Sequence, residues 1–342
     1  MWSEPSQSRW GFGVGISPGC QSNRPGTCTR LGQLLICATG LSLGVAWAGE
    51  LYKWQDKNGV WHFGDKPPES GQEFQTFAVP GEQNQFVSMR QGGSNEQPAY
   101  LFRNHTWGPV ELEVSVTEAM NVEALPALPR RLVIPGQSEI QAVRFRARNP
   151  REAFSFRLKY STVPGAPATQ LPPKLDFIPP FPSGYEFMVT QGIDDKTTHD
   201  RPGSQFAVDI AMPENTPILA VRGGVVMDIE EDFHASGRQE TRYIGKANYV
   251  RVLHDDGSMA LYAHLYPNSV RVYAGARIET GQWIGDSGNT GFSSGPHLHF
   301  AIQINVGLAL ESLPIRFQQS SRAPAVPRQG LLLRGMLPLN NP

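Results

Sequence analysis

The chain has 342 residues, 39% of them hydrophobic and 18% charged, with a formal net charge of -1. That composition is globular, and a near-zero charge with no Lys/Arg run excludes a nucleic-acid footprint and offers an anionic membrane surface nothing to hold. The 29 prolines and 35 glycines favour a mainly β, loop-rich chain over helical bundles.

In chain order, the first element is apolar. Leu31 to Trp47 follows Arg24 and Arg30, carries Cys37, lies close behind Cys20 and Cys28, and ends in Ala46-Trp47-Ala48 before Gly49. A positive flank, an apolar core and a small-residue site are the parts of a secretory signal peptide, expected over residues 1–48. Cleavage after Ala48 leaves a mature chain without cysteine. The alternative, an uncleaved anchor, would have to span with roughly 17 apolar residues, the short limit for a bilayer. In either case the remainder is expected to be exported.

Residues 49–80 read as a small hairpin module, with Tyr52, Trp54, Trp61 and Phe63 arranged around Asn58-Gly59, the strongest short hairpin signal because both turn positions want positive φ. Residues 81–165 alternate with period two: Val110, Leu112, Val114 and Val116, then Val143, Phe145 and Ala147, then Phe154, Phe156, Leu158 and Tyr160. Short alternating strands between turn residues predict a β-sandwich-like domain. No ionisable cluster marks chemistry there, and the lone His105 reads as a surface or edge residue. Residues 166–182, rich in Pro and Ala, read as a linker.

Residues 183–313 hold the chemistry, on short β segments: Phe206 to Ile210, Pro217 to Val221, Gly224 to Ile229, Tyr249 to His254, Met259 to His264, Trp283 to Gly285 and His297 to Ile304. Residues 314–342 read as a poorly ordered tail, with Leu331 to Leu333 able to dock. In a strand, residues i and i+2 share a face, so His297 and His299 point one way while Leu298 and Phe300 turn into a core. Asp209 lies in the apolar run Phe206-Ala207-Val208-Asp209-Ile210, where an unpaired carboxylate is costly and wants a cation. A hydrolytic zinc site takes three ligands from His, Asp, Glu and Cys and keeps one position for water. The alternation of Met259 to His264 places Tyr262 and His264 on one face. His254, before Asp255-Asp256-Gly257, reads as a solvated turn residue, and His234 lies in a charged insertion, Glu230 to Lys246, expected to be a mobile loop at a cleft. The glycine-rich run Gly285 to Gly295 lacks the Gly-Lys-Ser/Thr of a phosphate loop and is expected to let backbone approach a peptide substrate.

Five ordered motifs carry a family resemblance: Thr216-Pro217-Ile218-Leu219-Ala220; Gly223-Gly224-Val225-Val226; Asn248-Tyr249-Val250; Leu261-Tyr262-Ala263-His264-Leu265; and Gly288 through Phe300 with its His-Leu-His. Together they resemble the lysostaphin/LytM-type (M23) zinc metalloendopeptidases over about 120 residues, an extent that chance pairing of weak motifs does not produce. The resemblance implies an antiparallel β-sheet peptidase domain, Zn2+ as cofactor, Asp209 and His299 as metal ligands, and His264 and His297 as the catalytic histidines, with their division of labour left open. Many members place a ligand His four residues before the Asp, but that position here is Gln205. His199, ten residues before Asp209, resembles the spacing of a subgroup and is taken as the third ligand. The implied substrate is peptidoglycan stem peptide or cross-link. The alternative is a non-catalytic module of the same type that binds wall peptide or activates a cell-wall amidase. The segment around Trp54 and Trp61 resembles an N-terminal module of proteobacterial envelope proteins, which implies the periplasm or envelope of a Gram-negative bacterium and an envelope protein partner for the N-terminal domains.

Overall fold

The computed structural model describes residues 47–55, 61–64, 74–80, 86–172, 175–193, 199, 201–237, 243, 245–320 and 322–339, all within one compact unit, residues 40–342. Among them the secondary structure is β throughout, and no helix is long and apolar enough to cross a membrane. The expected signal peptide falls outside the described residues except for its last two positions. Strands β1 (Trp47–Gln55), β2 (Trp61–Gly64) and β3 (Phe74–Pro80) form an antiparallel sheet in the order β2-β1-β3, with Gln55 opposite Trp61. The Asn58-Gly59 turn expected between β1 and β2 lies outside the described residues.

The next seven strands are β4 (Val87–Gly93), β5 (Pro98–Asn104), β6 (Val110–Met120), β7 (Val122–Leu125), β8 (Arg130–Ile134), β9 (Glu139–Ala147) and β10 (Ser155–Pro164). They make two antiparallel sheets, β4-β5-β9-β7 and β10-β6-β8. The period-two residues do what alternation demands: Val110, Leu112, Val114, Val143 and Phe145 are fully buried in one core. Phe145 stacks on Phe156 at 4.0 Å and takes the edge of Tyr100 at 5.8 Å, the offset and T-shaped geometries that aromatic quadrupoles favour. Glu111 breaks the alternation, being buried beside Val110 and Leu112. His105 is exposed and hydrogen-bonds Ser88 Oγ at 2.7 Å.

This core is not closed by its own strands. Met227 and Met259, both from the C-terminal region, are fully buried within it, and Trp107 N donates to Met227 O at 2.9 Å. Gly108 is tight against the Met227 side chain, so a Cβ there would meet the thioether. A chain begun at Ser183 would therefore strip both methionines and also lose Phe177 and Phe181 from the second core. At about 1.5–3 kcal/mol for each large apolar side chain, that loss rivals the whole stability of a domain. Such a truncation is expected to show no cooperative thermal unfolding by circular dichroism where the chain from Gly49 does.

The C-terminal region contributes β11 (Asp176–Phe177), β12 (Glu186–Gln191), β13 (Val208–Ala211), β14 (Pro217–Leu219), β15 (Gly224–Glu230), β16 (Tyr249–Leu253), β17 (Met259–Ala263), β18 (Arg277–Ile278), β19 (Trp283–Asp286), β20 (His297–Asn305), β21 (Leu310–Ser312), β22 (Arg316–Gln319), β23 (Arg322–Ala325) and β24 (Leu332–Arg334). Nine of them form one sheet in the order β18-β15-β16-β17-β20-β13-β12-β24, with β21 beside β20. Two expectations are corrected. The second half of the 166–182 linker is core, since Phe177, Ile178 and Phe181 are buried among the sheet residues and β11 pairs in parallel with β22. The 314–342 tail is not poorly ordered over residues 316–320 and 322–334: it supplies three strands, and Leu333 docks 1% exposed against the core where β24 pairs with β12. Both segments are Pro-rich and too short to show periodicity, and each is held by partners more than a hundred residues away.

Candidate metal centre

Strand β20 lies between β13 and β17, and the register sets Asp209 and Ala263 on either side of His299. Residues abreast in a sheet share a face. Val208, Ile210, Leu298 and Phe300 therefore point into the core, all fully buried, and Asp209 and His299 point the other way. His299 Nδ1 donates to Asp209 Oδ1 at 2.8 Å, His199 Nε2 lies 3.3 Å from the same oxygen, and His297 Nε2 is 3.8 Å from Oδ2. The donor atoms of His199, Asp209 and His299 all lie within 4.8 Å of one another.

His264 reaches this face by a route that the sequence does not show. Alternation along β17 would put it with Tyr262, which is fully buried and accepts a hydrogen bond from Val221 N at 2.8 Å. The strand instead ends at Ala263, and His264 takes φ 63°. That left-handed step reverses the alternation, so the expected shared face is corrected. The ring of His264 comes to 4.7 Å from that of His297 and 5.8 Å from that of His299. Positive φ costs a non-glycine residue of order 1 kcal/mol, a cost concentrated at sites where geometry is imposed.

Hydrogen bonds set the tautomers of the two histidines that are not in the cluster. His264 Nδ1 meets Thr290 O at 2.6 Å and His297 Nδ1 meets Gly295 O at 2.8 Å. A carbonyl only accepts, so each Nδ1 carries its proton and each Nε2 is free for chemistry. Burial, with help from neighbouring His297 and His299, pushes the His264 pKa down to about 3, so this imidazole is neutral at neutral pH. Burial likewise lowers His299, against the opposing pull of Asp209. Burial pushes the Asp209 carboxyl up, but the imidazoles of His199 and His299 more than offset it and hold the group well below the usual carboxylate range.

The residues present fit a cation. His199 is 2% exposed, yet its Nδ1 has no hydrogen-bond partner and its Nε2 has only the 3.3 Å approach to Asp209 Oδ1, without hydrogen-bond geometry. A buried imidazole left so costs about 1–3 kcal/mol unless something else satisfies it. A cation shared with Asp209 and His299 would do so, and two imidazoles with one carboxylate are a donor set suited to zinc and its neighbours.

Three other sequence readings meet the structure here. His254 is not solvated: it is 3% exposed and pairs through Nδ1 with Gly223 O at 2.9 Å, because the turn after it folds over the β15 entry. The described part of the 230–246 insertion is tied down rather than loose. Phe233 is bonded through both backbone groups to the Asn248 side chain, and Ala235 and Gly237 bond Gly291, which leaves His234 exposed. Two glycines of the loop serve the chain's own packing, while a Cβ at Gly295 would meet nothing within 4 Å. Gly291 has φ 83° and a Cβ there would collide with the Lys246 carbonyl oxygen, while Gly288 lies against Tyr266 backbone. The internal need accounts for Gly288 and Gly291, and the expected approach of substrate backbone is left to Gly295. Sequence reasoning missed Thr290 O and Gly295 O, which carry no side-chain signal, and Gln303 and Ser312, which bond the backbone of Gly203 and Pro202.

Residues 203–309 match the model of peptidase family M23, and residues 38–85 match a domain of unknown function, DUF4124. An uncharacterized metalloprotease of Buchnera aphidicola is 33% identical over 98 residues, 29% of this chain and 23% of that protein. The peptidoglycan DD-endopeptidase ShyA of Vibrio cholerae is 28% identical over 147 residues, 42% of this chain and 31% of that protein. This chain thus spans only about a quarter to a third of those relatives' length. The catalytic domain of the prophage-encoded M23 protein EnpA of Enterococcus faecalis aligns with 40% of this chain and 93% of its own length at 26% identity and a TM-score of 0.29. The segment that matches peptidase family M23, residues 203–309, takes in Asp209, His264, His297 and His299.

Proposed function

We propose that the chain is an exported zinc metalloendopeptidase that hydrolyses peptide bonds in the stem peptides or cross-links of peptidoglycan, in the periplasm or envelope of a Gram-negative bacterium. The observation that carries the reading is the convergence of His199, Asp209 and His299 with two further imidazoles, His264 and His297, each turned by a backbone carbonyl so that Nε2 is free. The name of the Vibrio cholerae relative supports the substrate class. The resemblance of the N-terminal segment to envelope modules supports the location and an envelope protein partner.

His199, Asp209 and His299 would hold the metal. When bound, zinc supplies a Lewis acid that polarises the scissile carbonyl and lowers the pKa of water. The remaining work falls to the chain. A peptide lying across the β13-β20-β17 face meets two imidazoles whose Nε2 atoms accept a proton. Thr290 O and Gly295 O accept the Nδ1 proton whether the ring is neutral or cationic, so neither ring need rotate as Nε2 changes state. An imidazole that takes the proton of the attacking water can then donate it to the oxyanion or to the leaving amine. Burial keeps His264 uncharged before the reaction, so its Nε2 lone pair is unprotonated when the peptide arrives.

The test is zinc content and muropeptide release by the mature chain and by His199→Ala. Outer partners of a metal ligand are worth about 10–100-fold in affinity, so removing a ligand itself is expected to weaken zinc by at least about 100-fold and to cut release in step. Stoichiometric zinc in the mature chain without release of any muropeptide would overturn the enzyme reading in favour of a wall-binding or amidase-activating module. Full zinc and full activity in His199→Ala would remove that residue from the ligand set.

A further inference from the structure

His199 lies ten residues before Asp209 and outside every strand, so the sheet does not hold it directly. The chain between the two is gripped instead by the β20-β21 hairpin. Pro202 O accepts from Ser312 N at 2.8 Å and from Ser312 Oγ at 3.0 Å, and Phe206 N donates to Ser312 Oγ at 2.9 Å. Gly203 O accepts from Gln303 Nε2 at 2.8 Å. Gln303 and Ser312 stand opposite each other in the hairpin register, and both are buried. Between the two grips, Ser204 N bonds Arg201 O and Ala207 N bonds Ser204 O, two consecutive turns that lead into β13. Two buried polar side chains are thus committed to the backbone of residues 202–206, the stretch that separates one candidate ligand from the next.

The far end of the same hairpin is pinned to the β4–β10 sandwich. Asn305 Nδ2 donates to Glu111 Oε2 at 2.8 Å and to Gly165 O at 2.9 Å, and Leu308 N donates to Glu111 Oε2 at 2.7 Å. This is why Glu111 is buried against the alternation of β6. Leu310, which opens β21, packs against the sandwich core.

We propose that Gln303 and Ser312 are positioning residues for His199, and that Glu111 and Asn305 extend this support from the sandwich to the metal centre. The proposal rests on the reading of His199 as a metal ligand. A ligand on a free segment loses conformational entropy when the metal binds, whereas one on a segment already fixed loses little, so the hairpin's bonds count toward metal affinity although none touches an imidazole. The link also runs between domains: contacts made by the sandwich bear on how well zinc is held more than a hundred residues away in sequence.

Zinc affinity of the full chain, measured by competition with a chromophoric chelator, tests this. Gln303→Leu and Ser312→Ala are expected to weaken zinc about tenfold, in the range of other outer partners, and Asn305→Ala about threefold. Val114→Ala, which disturbs the sandwich core without touching the hairpin, is expected to leave affinity unchanged. Gln303→Met, close to glutamine in shape but without the Nε2 donor, serves where Gln303→Leu does not fold. Adding Gln303→Leu to His199→Ala should bring no further loss, because the supported ligand is already gone. The visible absorption of the cobalt-substituted chain should change in Gln303→Leu and not in Val114→Ala. Unchanged affinity in Gln303→Leu and Ser312→Ala, a loss matched by Val114→Ala, or full additivity with His199→Ala would overturn the positioning role while leaving the metal site intact. Failure of the wild-type chain to take up zinc at all would overturn the metal reading and this proposal with it.

Discussion

Asp209→Asn is expected to abolish zinc binding and hydrolysis together while the fold survives. Among the described residues the carboxylate is the only anion in the cluster, with His299 Nδ1 at 2.8 Å and His199 Nε2 at 3.3 Å on one oxygen and His297 Nε2 at 3.8 Å from the other. Asparagine keeps the shape, and its side-chain oxygen can still accept from His299, so the core behind β13 has no reason to collapse. What goes is the charge that compensates a divalent cation in a buried site, and burial makes that compensation decisive. Zinc content by elemental analysis should fall to background and muropeptide release with it, with the thermal midpoint within a few degrees of wild type. An Asp209→Asn chain that keeps stoichiometric zinc would show that the cation is held elsewhere.

His264→Ala is expected to separate the two properties that Asp209→Asn loses together. His264 lies outside the ligand cluster, so zinc should stay at one per chain, while turnover should fall about 10²–10⁴-fold, the span that positioned acid–base groups contribute. The drop should appear in kcat rather than in KM, because an imidazole that moves a proton acts mainly after the substrate is bound. A backbone contribution also has to be controlled. Position 264 has φ 63°, which alanine tolerates poorly, so His264→Asn, better suited to that region, is the companion variant. If His264→Asn retains wild-type turnover, the imidazole has no part in the proton transfer.

How much of this was legible in the sequence depended on how local each determinant is. The Leu298 and Phe300 alternation fixes which way His297 and His299 face, and it can be read from four consecutive residues. Asp209 stood out because a carboxylate in an apolar run needs an explanation. The face of His264 was misread because one left-handed residue reverses a strand's alternation, and nothing in Leu261-Tyr262-Ala263-His264-Leu265 shows where that residue is. His254 was misread for a related reason. Asp255-Asp256-Gly257 announces a turn, but whether the residue before a turn is wet depends on what packs over it, here the backbone of Gly223. The support beneath His199 was the least legible part, because Gln303 and Ser312 reach back 100 residues or more to grip a backbone whose carbonyls have no sequence signature.

Strand β24 also bears on how the protein should be handled. It pairs with β12, and β12 in turn pairs with β13, the strand that carries Asp209. Leu332–Arg334 therefore caps what would otherwise be the open rim of the nine-stranded sheet, two strands from Asp209. Proteolytic nicking or a stop codon ahead of Leu332 would bare the amide row of β12, beside the half-exposed Met188, as a template for another chain. Preparations trimmed at the C-terminal side would then lose solubility before they lost the His199, Asp209 and His299 cluster, and an affinity tag is better placed after Arg334 than in place of it.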